Sequence, residues 1–235
     1  MRELLDYERF GLPVKAGSRY FFTRNSGLQN QSQLYVREGF EGKQRVLLDP
    51  NGWARDGATA LDAWKPSDKG RYLLYSVQDG GTDWRILRVV DVATGQTLPD
   101  EIRHAKYTGL AWVGEQGFLY SRFPAPPPGQ TYQARTYNQA LWYHRLGTSQ
   151  DADELVYATP ENPEAGHTAE VTSDGRYAVI TSSISTDARH EIHVIDLNHR
   201  KSHGKWRVLP LVTGYEHDWK LVDSLGRTML LVTNE

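Results

Sequence analysis

Histidine, serine and carboxylate side chains are plentiful enough in this chain for acid–base or nucleophilic chemistry, so the first question is whether any spacing assembles them. His190 and His193 are three apart. On a strand that spacing sends the two rings to opposite faces, where they cannot share a metal. His199 and His203 fall in Asn198-His199-Arg200-Lys201-Ser202-His203-Gly204-Lys205, which reads as a solvated basic loop. Asp151, Asp153 and Glu154 read as a polar loop, and His167 as a lone structural histidine. A serine nucleophile of the hydrolase type needs the sharp turn of Gly-x-Ser-x-Gly, and no such pentapeptide occurs. With no cysteine there is neither a thiolate nucleophile nor a thiolate metal site. The residues call for no catalytic centre, no metal and no cofactor.

Bulk properties narrow the partners. A net charge of −2 gives no broad basic face for nucleic acid. No apolar run approaches the ~18 residues of a membrane-spanning helix. The first ten residues, charged throughout, lack the apolar core of a secretory signal, so the expectation is a cytoplasmic-type soluble domain. Thirteen Tyr and seven Trp against two Met favour sheet, since rings suit a pleated, half-buried surface.

The elements that would position any site repeat. Val171-Thr172-Ser173-Asp174-Gly175-Arg176-Tyr177 reads as a strand, a tight turn and a second strand, with glycine supplying the positive φ. Pro66-Ser67-Asp68-Lys69-Gly70-Arg71-Tyr72 is a clear copy, and weaker ones place turn glycines at 17, 117 and 226. A period of roughly 50 residues suits the four-stranded antiparallel blade of a β-propeller. The expected organisation is a helical or irregular lead-in over 1–16 and a partial propeller over 17–235. Its blades are expected at about 17–56, 57–104, 105–164 and 165–214, with 215–235 incomplete. Pro124-Ala125-Pro126-Pro127-Pro128-Gly129, running on to Asn138, is the longest connection and reads as a proline-stiffened surface loop or a docking segment. Four and a half blades would leave an open sheet edge, to be covered by a further segment or a second copy.

Several blocks carry a family resemblance. They are Asn25-Ser26-Gly27-Leu28-Gln29-Asn30-Gln31, Leu48-Asp49-Pro50-Asn51, Asp56-Gly57-Ala58-Thr59-Ala60-Leu61, Gly81-Thr82-Asp83-Trp84, Leu110-Ala111-Trp112 and Tyr143-His144-Arg145-Leu146-Gly147-Thr148. In order and extent they resemble the propeller domain of the prolyl oligopeptidases, serine peptidases that cleave short peptides after proline. The resemblance implies a seven-bladed cap over an α/β-hydrolase domain, with short proline-containing peptides as substrates and the catalytic triad in the hydrolase domain. It also implies site residues. Asp83, next to Trp84, would face the interdomain cavity and pair with an arginine of the catalytic domain; the residues alone read it as a turn-end Asp. Tyr107 matches an aromatic wall of the pocket upstream of proline, where the alternative is a blade-packing tyrosine. Gly166 and Thr186 stand where animal enzymes have Met and Cys, implying a roomier, more polar pocket without a thiol. A free-standing partial propeller that binds or scaffolds through its open edge is the competing reading.

Overall fold

The computed structural model describes residues 6–54, 57–78, 80, 82–127 and 136–234. Within them the fold is antiparallel sheet throughout, with one short helix and two 3-10 turns. The chain divides into two compact units, Met1–Ile102 and Arg103–Glu235.

In the first unit, β1 (Arg9–Phe10) and β2 (Val14–Ala16) both pair with β3 (Arg19–Asn25), which continues to β4 (Gln33–Glu38) and β5 (Arg45–Leu48). The lead-in is therefore partly strand, because Arg9 and Phe10 register against Asn25 and Arg24. A second meander is formed by β6 (Ala60–Pro66), β7 (Tyr72–Gln78), β8 (Arg85–Asp91) and β9 (Thr97–Ala105), the residues of β9 from Arg103 onward belonging to the second unit. The last of these is the longest of the four. Phe21, Leu34, Val36, Leu73, Tyr75 and Val90 form the core, with Trp53 and Trp64 packed on it. Alternating strand positions supply these side chains, as period-two patterning requires.

Two of the repeating turn glycines meet in this unit. A Cβ on Gly17 (φ 57°) would fall 2.4 Å from the Lys69 carbonyl oxygen, and one on Gly70 (φ 67°) 2.6 Å from that of Ala16. The hairpin tips thus approach backbone to backbone, fastened by the Arg19 Nη1 bond to the Gly70 oxygen at 2.8 Å. Gly70→Ala combines a left-handed φ with a backbone clash and is expected to cost about 2 kcal/mol, against a few tenths for an unconstrained loop site. Thermal unfolding of the variant checks this; an unchanged midpoint refutes it.

In the second unit, β10 (Ala111–Trp112), β11 (Gly117–Arg122), β12 (Ala140–Arg145) and β13 (Glu154–Ala158) form one meander. β14 (Ala165–Val171), β15 (Tyr177–Ile184), β16 (His190–Asp196) and β17 (Val208–Val212) form another. A hairpin of β18 (Trp219–Leu225) and β19 (Thr228–Thr233) follows. Leu119, Leu141, Ala169, Ala178, Ile180 and Ile195 make the core. β10 is short, since residues 107–110 are irregular. The positive-φ turn glycine here is Gly114 (φ 63°), not Gly117. Gly117 is needed for close packing, because a Cβ there would lie 2.2 Å from the His144 carbonyl oxygen.

The stretch read as a basic loop is a helix, α1 (Leu197–His203). Asp196 caps it by accepting from the Asn198 and His199 amides, and Gly204 (φ 69°) ends it in the left-handed conformation. Gly81 of the block ending in Asp83-Trp84, and residues 128–135 of the proline loop, lie outside the described residues.

Candidate functional site

The residues singled out by the resemblance occur in both units. Asp83 and Trp84 belong to the first, in the turn between β7 and β8; Asp83 is exposed and Trp84 half-buried. The turn is pinned at its base, where the Thr82 carbonyl accepts from Gln78 Nε2 at 2.8 Å and Arg85 Nη1 at 3.1 Å. Arg85 is itself held by the Asp62 carboxylate at 2.7 and 3.2 Å.

Tyr107, Gly166 and Thr186 belong to the second unit. Tyr107 lies in the irregular lead to β10, 62% exposed and with Lys106 Nζ 5.0 Å from its ring centroid. Gly166 is in β14, paired with Ser183 of β15. Thr186 is exposed in the turn joining β15 to β16. In that turn Arg189 grips Asp187, and the guanidinium holds this carboxyl well below the usual carboxylate range. The backbone around these residues is unusual. Among the described residues, the non-glycine positions with positive φ are His104, Tyr107 (52°), Asn138, Ser185 (54°, beside Thr186) and Tyr215, all in this unit. Left-handed backbone at bulky residues costs free energy and persists where surrounding contacts over-determine it, a pattern concentrated at functional sites.

Beneath Tyr107 and Gly166 runs a buried polar network that sequence reasoning missed. Gln139, 2% exposed, donates through Nε2 to the Lys106 carbonyl at 2.8 Å and approaches that of Tyr107 at 3.4 Å. Its Oε1 accepts from the His167 amide at 2.5 Å. His167 is 1% exposed, with Nδ1 against Ser182 Oγ at 2.9 Å and Nε2 against Thr159 Oγ1 at 3.1 Å. Tyr157 packs edge-on against its ring at 5.0 Å. Burial, first, and the neighbouring His193 push its pKa down to about 4, so the ring is neutral at pH 7. His167 and Ser182 have the contact distance of a base and a nucleophile, yet both are sealed from substrate and the other ring nitrogen faces a threonine. The pair is structural, as the lone-histidine reading expects. The one signal available in sequence was an amide residue opening the otherwise apolar Ala140–Tyr143 run.

A second network corrects the reading of Asp153 as part of a polar loop. Its carboxylate is fully buried, accepting from Tyr120 Oη at 2.5 Å and contacting His144 Nδ1 at 2.6 Å. Burial and the adjacent carboxylate keep the Tyr120 hydroxyl protonated far above the ordinary phenol range. The remaining histidines disperse. His190 contacts Asp218 at 3.2 Å, His193 lies against Tyr157, and His199 stacks on His203 at 4.0 Å. Among the described residues no group of three or more His, Asp or Glu could hold a metal, and no helix is long and apolar enough to cross a membrane.

Antiparallel four-stranded meanders with a Gly-centred turn in each are the units of a β-propeller. The family described as the prolyl oligopeptidase N-terminal beta-propeller domain matches residues 1–235, and the chain belongs to that family. Prolyl endopeptidase of Elizabethkingia meningoseptica is 32% identical over 235 residues, covering 100% of this chain and 32% of the relative. That of Elizabethkingia miricola is 33% identical, covering 100% and 33%. The chain thus spans about a third of the length of the curated relatives it matches. A solved structure from a study of two prolyl endopeptidases and their inter-domain dynamics superposes with TM-score 0.87 at 49% identity, over 97% of this chain and 32% of that one. Prolyl oligopeptidase B of Galerina marginata, bound to a 25mer macrocyclization substrate, gives TM-score 0.87 at 25% identity, over 99% and 35%.

Proposed function

We propose that this chain is the gating and substrate-lining propeller of a prolyl oligopeptidase, working with an α/β-hydrolase domain that carries the catalytic residues. Short proline-containing peptides are the substrates, in a cytoplasmic setting. Each meander is one blade, with limits near 17–56, 57–104, 105–164 and 165–214, and the β18–β19 hairpin opens a fifth. Tyr107 supplies an aromatic wall for the residue upstream of proline, Gly166 and Thr186 line the same pocket, and Asp83 with Trp84 meets the catalytic domain. The contribution of these residues is positioning and electrostatics, with bond making left to the partner domain.

The observation that carries this reading is the family match over all 235 residues together with the strained, exposed placement of Tyr107. Self-association through the hairpin is the second reading. It is favoured by the outward face of β18 and β19, where Val222, Leu230 and Val232 are 54%, 60% and 55% exposed. One preparation of chain 1–235 tests both. A proline-containing chromogenic peptide is expected to show no turnover, and turnover that survives repurification refutes the proposal. A stable dimer by light scattering favours the second reading, and a monomer the first.

A further inference from the structure

We propose that Gln139 is a positioning residue for the substrate pocket, an amide clamp that holds the Tyr107 wall in place; this rests on the reading of Tyr107 as a pocket wall. Tyr107 is 62% exposed, and the backbone carbonyls at 106 and 107 are approached from the interior by one side chain. Gln139 sits at the first turn into β12, next to Asn138, whose φ is also positive (59°) and whose amide donates to the Pro163 carbonyl at 2.8 Å. Its amide group is used at both ends. The NH2 donates to the Lys106 carbonyl and leans toward that of Tyr107, and the oxygen accepts from the His167 amide.

The hydrogen bonds define the amide's orientation, because turning it over would set oxygen against carbonyl oxygen and NH2 against N–H. One side chain therefore ties the loop before β10 to strand β14. Gly166 belongs to the same device. A Cβ added there would lie 3.3 Å from Gln139 Oε1, tighter than ordinary van der Waals contact. The missing side chain at 166 thus does more than widen a pocket: it leaves the clamp its seat. A pocket wall needs such support, since a misplaced aromatic ring loses its selectivity for the side chain it faces.

The experiment compares Gln139→Glu, Gly166→Ala and Tyr107→Ala in the full chain. Once ionised, the glutamate keeps an acceptor for the His167 amide but has no hydrogen to give the two carbonyls, so exchange is compared at the alkaline end of the folded range, where that form is present. Hydrogen exchange read peptide by peptide is expected to rise about tenfold over residues 106–110 in Gln139→Glu, the scale of one lost buried hydrogen bond, with β15 and β16 unchanged. Gly166→Ala, which removes no partner and only crowds the amide, should shift the same segment in the same direction by less, and covers the case in which Gln139→Glu does not fold. Exchange over 106–110 that stays at the wild-type rate, or that rises equally throughout the unit, overturns the clamp.

A second arm measures binding of two proline peptides differing only in Phe or Ala before the proline. Gln139→Glu and Tyr107→Ala should each bring the affinity ratio toward one, with the double variant going no further than Tyr107→Ala. A ratio that collapses in Tyr107→Ala but not in Gln139→Glu overturns the clamp and leaves the pocket reading standing. A ratio untouched by Tyr107→Ala overturns the pocket reading, while the exchange arm still decides the clamp.

Discussion

Asp153→Ala should destabilise the protein by about 3–5 kcal/mol, the range for breaking a fully buried polar pair by removing one partner. The carboxylate sits between Tyr120 of β11 and His144 of β12, just ahead of β13, so three successive strands depend on it. Phe118, whose ring lies 5.2 Å from that of His144 and 6.0 Å from that of Tyr120, closes the site. Strand alternation puts Phe118, Tyr120 and His144 on one face of the meander and Leu119, Leu141 and Tyr143 on the other, in the core. Without the carboxylate, the Tyr120 hydroxyl and the His144 ring lose this buried acceptor, and a buried donor left unsatisfied costs about 1–3 kcal/mol. Tyr120→Phe removes one bond and should cost only about 1–2 kcal/mol. Urea unfolding of the two variants checks the ranking. Equal costs, or a loss below about 1 kcal/mol for Asp153→Ala, would show that the carboxylate does not hold the strands together.

How much of this was legible in the sequence depended on the range of the interaction. Hairpins built on Asp174-Gly175 or Lys69-Gly70 could be read locally, because positive φ and strand alternation are properties of a few adjacent residues. The third repeat misled at Gly117, since a glycine required by the close approach of Tyr143 and His144 looks the same as a turn glycine. Helix α1 was hidden by composition. Asn198-His199-Arg200-Lys201-Ser202-His203 has no apolar stripe, and the only signs were the capping Asp196 and the terminal Gly204. Asp153 sits in the polar run Asp151-Ala152-Asp153-Glu154, yet one neighbour, Glu154, is exposed and pairs with Arg200 and Trp206, while Asp153 turns inward to His144 nine residues back. No local pattern distinguishes those two carboxylates. Tyr107, Gly166 and Thr186 were singled out by family resemblance, and Gln139, which bonds to backbone groups of Lys106 and His167, by neither source.

Acid should weaken the second unit well before its carboxylates titrate. The folded-state pKa of His167 is depressed to about 4, below the ordinary 6.5, chiefly because burial penalises the charged ring. Between those values the unfolded chain binds a proton that the folded chain refuses, so stability rises with pH across the window. The contribution is complete above pH 6.5, falls as pH drops through the window, and levels off below pH 4. A shift of that size corresponds to about 2–3 kcal/mol lost by pH ~4.5. The groups facing the ring offer no anionic rescue at contact distance: Ser182 of β15, Thr159 after β13, Tyr157 of β13, with Glu161 acting only at longer range. His193 of β16 and His104 are depressed by burial as well, and add losses of the same sign. Asp174, Asp187 and Asp223 of the same unit, held below the usual carboxylate range by hydrogen bonds, lose their contributions only at lower pH, which separates the two effects. Urea unfolding from pH 7.5 to 4.5 is expected to show this decline, and His167→Gln, though less stable at pH 7.5, should show a profile flatter by about 2–3 kcal/mol. Parallel profiles for the two proteins would mean that the buried ring takes its proton without opening the β14–β15 pair, and the assignment of the acid transition to His167 would fall.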